Sequence, residues 1–109
     1  MCMEDIRIMR RTRSRMFSLT VQASGVIVGP SPNRVALIIT TNGALRVVGT
    51  ERNMVVTAGR GIAVGDAAGA SAHIPLILDI QHHGALVTEA WYGTPGQVYI
   101  VGESYLDEQ

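Results

Sequence analysis

Apolar residues in this chain come in short runs. Met16–Gln22, Gly25–Val28, Arg34–Thr41, Ala44–Val48, Met54–Thr57, Ile62–Val64, Ile74–Ile80, Ala85–Trp91 and Gln97–Glu103 are each rich in β-branched or aromatic residues. Each is bounded by turn-forming residues, which is the pattern of strands. The breaks are chemically explicit. Gly29-Pro30-Ser31-Pro32-Asn33 cannot continue a strand. Asn42-Gly43, between two β-branched runs, predicts a tight hairpin. His83-Gly84 and Thr94-Pro95-Gly96 mark further turns, and Asp66–Ala72 reads as a surface loop. No stretch has a sustained helical period with caps, and crossover helices for a parallel sheet are missing. The expected fold is all-β: an antiparallel β-sandwich, jelly-roll-like, with an extended N-terminal arm.

Three strands are apolar on both faces: Val35-Ala36-Leu37-Ile38-Ile39, Ile74–Leu78 (interrupted by Pro75), and Val98-Tyr99-Ile100-Val101. A two-layer sandwich needs one buried face per strand. The second apolar face therefore predicts cover, and with no helix to supply it a further subunit is expected.

Composition strengthens this reading. Val (12), Ile (10) and Thr (8) dominate a chain of 109 residues, so strands are favoured over helices. Charged residues are 17%, below the usual quarter, and the net charge is zero. A sparsely charged, neutral surface favours association. One domain is the natural outcome at this length. The single Cys2 excludes an internal disulfide and a Cys-based zinc site. No apolar run is long enough for a transmembrane helix, so no membrane partner is expected.

The charge is unevenly placed. Residues 1–15 hold Arg7, Arg10, Arg11, Arg13 and Arg15 against Glu4 and Asp5, whereas residues 16–109 are net acidic. This divides the chain into a basic arm, 1–15, and a sandwich domain, 16–109. Extended, Arg11, Arg13 and Arg15 fall on one face. Guanidinium groups so arranged suit an acidic protein surface. The acidic body would repel a phosphate backbone, and no aromatics interleave with the arginines, which weighs against nucleic acid. Trp91 and Tyr92, at a strand end, read either as core or as an interface anchor. The candidate partner-binding residues are thus Arg7, Arg11, Arg13, Arg15, Trp91 and Tyr92.

Catalytic and metal signals are weak. His82 and His83 are adjacent, so on a strand they would face opposite ways. With Asp79 and His73 they still sketch a rival reading, a small cupin-like metal enzyme or sugar-binding sandwich. Gly59-Arg60-Gly61 with Gly65 misses the dinucleotide spacing. No Ser lies in a nucleophile elbow. Glu89 and Glu103 lie on expected strands and could face each other, but a pair of carboxylates arises easily by accident among seven acids in the body. No catalytic residue, cofactor or metal site is assigned.

The run Ser31-Pro32-Asn33-Arg34-Val35-Ala36-Leu37-Ile38-Ile39 and the Gly59/Gly61-Ile62 loop, followed by Gly84-Ala85-Leu86-Val87, Glu89-Ala90-Trp91 and Val98–Glu103, resembles a pattern in small structural proteins of tailed phages. The resemblance covers about residues 30–104 and excludes the arm. Some of these proteins are capsid decoration (cement) proteins. The resemblance implies a non-enzymatic oligomer, commonly a homotrimer, that sits on the virion surface, binds the major capsid protein and stabilises the shell. Another virion part, such as a tail or collar subunit, is the alternative within the same class.

Overall fold

The computed structural model describes residues 12–66 and 73–106. Nine strands follow one another: β1 (Thr12–Thr20), β2 (Val26–Val28), β3 (Arg34–Thr40), β4 (Arg46–Gly49), β5 (Ile62–Asp66), β6 (His73–Ile74), β7 (Leu76–Asp79), β8 (Trp91–Gly93) and β9 (Val98–Leu106). They form two sheets, in the orders β1-β9-β3-β7 and β2-β8-β4-β5-β6. All strand pairs are antiparallel. Leaving β6 aside, this alternation of successive strands between a four-stranded and a second four-stranded sheet is the jelly roll. The expected all-β sandwich is the observed fold.

Period-two alternation builds the core between the sheets. From the first sheet, Leu37, Ile39, Leu78, Tyr99 and Val101 point inward, with Phe17 and Leu19 packed at their edge. From the second come Ile27, Val28, Val48, Val64 and Trp91. Tyr99 bridges the layers. Its hydroxyl donates to the Val47 carbonyl at 3.0 Å and accepts the Thr94 N–H at 2.9 Å. Its ring needs Gly93 opposite: a Cβ there would lie 2.7 Å from the ring carbon that bears the hydroxyl. A larger residue would push the ring off its hydrogen bonds.

Several expected elements are different in the fold. Met54–Thr57 is a π-helical turn, Asn53–Thr57, in place of a strand. Only Val55 of this run is buried, and no neighbouring strand offers it a ladder. Ala85–Trp91 is mostly a 3-10 turn, Gly84–Val87, with β8 beginning at Trp91. A four-residue helical turn, Ile80–His83, precedes it, N-capped by the Asp79 side chain. The Asn42-Gly43 hairpin does not form. β3 pairs with β7 and β9, β4 with β5 and β8, so Asn42-Gly43 is a corner where the chain changes sheets. The Thr41 hydroxyl secures it by bonding the carbonyls of Gly43 and Ala44.

The expected boundary between arm and domain also moves. β1 starts at Thr12 and pairs with β9 without interruption from Thr12↔Leu106 to Thr20↔Val98. Arg13 and Arg15 therefore belong to the sandwich. Charge made this segment look like a tail, but its alternate residues suit an edge strand. Arg7, Arg11 and Cys2 lie outside the described residues, as does most of the Asp66–Ala72 loop.

Candidate functional site

Three constellations stand out once the strands are placed. The first is ionic. Arg34 is 1% exposed and Glu103 3% exposed. Arg34 Nη1 meets Glu103 Oε2 at 2.9 Å. Its remaining donors reach three carbonyls: Val87 at 2.7 Å, Gly29 at 3.2 Å and Glu89 at 2.6 Å. The planar fork of a guanidinium is suited to so many acceptors. Arg15 Nε meets the other carboxylate oxygen of Glu103 at 2.9 Å, and its guanidinium lies 4.7 Å from the centre of the Phe17 ring. Burial alone would raise the Glu103 carboxyl, but hydrogen bonds from Tyr105, Arg15 and Arg34 outweigh it and hold the group below the ordinary carboxylate range. Arg34 thus ties β3 to β9, to the 3-10 turn and to the Gly29-Pro30 loop. Glu89 contributes only its carbonyl and does not face Glu103 as a paired carboxylate.

The second constellation is histidine-based and divided. His82 Nδ1 contacts both carboxylate oxygens of Asp79, at 2.9 and 3.0 Å, and the Asp79 N–H donates to His83 Nδ1 at 3.0 Å. Hydrogen bonds from His82 hold Asp79 below its ordinary range. His73 takes no part. Its Nδ1 lies 2.6 Å from Asp66 Oδ1 and its Nε2 2.5 Å from the Thr40 hydroxyl. That arrangement pins the short β6 across to β3 in the other sheet. Its order, carboxylate–imidazole–hydroxyl, is that of a general-base relay, but it lines none of the three grooves described below. Among the described residues no three His, Cys, Asp or Glu side chains converge as metal ligands.

The third is apolar. The outward residues of the first sheet fall in register as Met16–Gly102–Ile38–Ile77, one from each of its four strands. Met16 is 72% exposed, Ile38 37% and Ile77 59%. Gly102 leaves a dip between Met16 and Ile38, the floor of a groove of about 350 Å³ edged by Ser14, Ala36 and Ser104. The three strands read as apolar on both faces are thus neighbours, and their second faces merge into one surface.

The candidate partner-binding residues divide accordingly. Arg13 and Arg15 share one face of β1, at the edge of the sheet; both border a second groove with Tyr105, and Arg15 and Tyr105 border a third. Trp91 is 2% exposed and donates its indole N–H to the Leu86 carbonyl at 2.9 Å. It is a core residue, and its expected role as a surface anchor is withdrawn because the ring is already covered by its own chain. Tyr92, next to it, is half-buried. Sequence reasoning missed the Arg15–Glu103–Arg34 network and the Asp66–His73–Thr40 chain, because both depend on strand register. The alternation of Arg13 and Arg15 with Ser14 and Met16 was the one local signal that this segment is a strand.

Comparison of the chain with protein-family models, curated proteins and solved structures finds no match.

Proposed function

We propose that this protein is a non-enzymatic structural component of a phage virion, a capsid decoration protein that assembles with copies of itself, binds the major capsid protein and stabilises the shell. The observation that supports this reading most is the exposed apolar row of the four-stranded sheet. An apolar face crossing a whole sheet is the mark of an interaction surface. The long β1 edge, bearing Arg13 and Arg15, offers a strand for pairing with positive charge along its margin. The most elaborate polar network, around Arg34 and Glu103, is buried and engaged in holding the fold. Attachment would stabilise the shell by mass action.

Co-sedimentation with undecorated capsids tests the proposal. The purified chain is expected to sediment with capsids saturably, to raise their thermal disruption temperature, and to bind more weakly as salt screens the arginines. Absence of binding at micromolar protein in low salt would refute it.

A further inference from the structure

We infer that two copies of this chain pair through the outer face of the four-stranded sheet, with Ile38 of each seated in the Gly102 dip of the other. The inference rests on the reading that the protein assembles with itself, and it assigns the face, the register and the symmetry.

The argument is one of self-complementarity. β9 and β3 are the two central strands, and the row Met16–Gly102–Ile38–Ile77 is centred between them. A two-fold axis parallel to the strands and midway between β9 and β3 carries each Ile38 over the second copy's Gly102. The same rotation lays Met16 over Ile77. Every projection then meets a depression or an apolar neighbour, as an isologous interface requires. The adjoining row is compatible. Ser14, Ser104, Ala36 and Asp79 lie in register, so the rotation sets Ser104 over Ala36 and brings the Ser14 hydroxyl towards the Asp79 carboxylate. Asp79, at the edge, is the one charged side chain in the two rows.

The area is close to what a stable pair needs. At about 3.3 Å per residue and about 4.8 Å between strands, the four strands together present about 460 Å² in projection. Two such faces remove about 900 Å² before side-chain relief is added, which approaches the ~1,200 Å² at the lower end of stable interfaces. Aligned sheets pack about 10 Å apart, leaving room for one layer of Ile, Met and Ala from each side. The resemblance described above implies a trimer; a two-fold pairing of like faces commits to two chains.

Light scattering coupled to size exclusion of the full chain, at about 100 µM and below, decides it. The wild type is expected at twice 11.7 kDa. Ile38→Asp should run as a monomer. Gly102→Val should weaken pairing at least tenfold, because it fills the dip. In the single chain a Cβ at Gly102 meets only ordinary contacts, 3.6 Å to Met16 and 3.8 Å to Ile38, so Gly102→Ala keeps its fold and serves as the milder variant, expected to weaken pairing less than Gly102→Val. Near-ultraviolet circular dichroism from Trp91 reports folding. Ile62→Asp, on the other sheet, should stay paired. A monomeric wild type would overturn both the pairing and self-assembly. An oligomer dissociated by Ile62→Asp but untouched by Ile38→Asp and Gly102→Val would overturn only the face assigned. A three-chain mass would overturn the two-fold symmetry while leaving self-assembly intact.

Discussion

Arg34 shows how one side chain can hold several segments. It is buried and bonded to a carboxylate and three carbonyls contributed by β9, the 3-10 turn, the approach to β8 and the Gly29-Pro30 loop. Arg34→Met would leave those acceptors without donors and Glu103 with less positive charge beside it. Breaking a buried pair in this way costs about 3–5 kcal/mol. Arg34→Lys should recover only a small part, since an ammonium cannot present a fork to so many acceptors. Urea unfolding midpoints check both, and a midpoint for Arg34→Met within error of wild type would contradict the account. Glu103 adds a pH dependence. Its folded carboxyl sits below the unfolded value, near 4.5. The folded state therefore gains from the ionised carboxylate above that value, and the gain disappears as the pH falls through the lower, folded value. Glu103→Gln should melt well below wild type at pH 7, and the two melting temperatures should converge as the pH is lowered below 4.5 and through the folded value. Asp79 is present in both chains and does not affect the difference. A gap that stays the same down to the lowest pH at which both proteins remain folded would mean that the charge of Glu103 is not what matters.

At the scale of elements, β1 is where the fold most changes the expectation. Read by charge, residues up to Arg15 are an arm whose removal leaves the domain intact. In the fold, Thr12–Arg15 form nearly half of a strand that pairs along β9, and Arg15 bonds Glu103. A chain starting at Met16 loses those rungs and the outer member of the ionic network. It should melt lower than a chain starting at Thr12 by about 5 °C or more, the shift that accompanies roughly 1 kcal/mol in a domain of this size. Calorimetry of the two truncated chains measures this, and equal melting temperatures would restore the arm. Other elements were legible to different degrees. Arg34–Thr40 and Val98–Leu106 follow their apolar runs closely, because a strand apolar on both faces has no competing pattern. Met54–Thr57 reads as a strand by propensity, yet it has no partner to bond with and coils into a turn that buries Val55. Propensity for strands is a preference for a packed, pleated surface, and that surface is absent there. The Asn42-Gly43 turn is present, but which strands it joins depends on sheet membership, which local residues do not encode.

At the scale of the molecule, two-sided apolarity was the most informative signal in the sequence. It marked β3, β7 and β9 before their adjacency was known, and the fold merges their outer faces into one surface. The ionic network and the His73 chain were illegible for the opposite reason. Their bonded side chains are 7 to 88 positions apart, from His73–Asp66 to Arg15–Glu103, and register between strands brings them together. The same topology constrains how the fold can arise. β9 is the last of the described strands in sequence but lies in the interior of its sheet, between β1 and β3. Until it has left the ribosome, β1 has no partner on its inner side, β3 lacks one of its two, and Glu103 cannot meet Arg34. Most successive strands also lie in different sheets, so few contacts are local and folding is slow for the chain's length. Completion of the sandwich therefore waits on β9, and until β9 docks the growing chain carries unpaired, apolar strand edges.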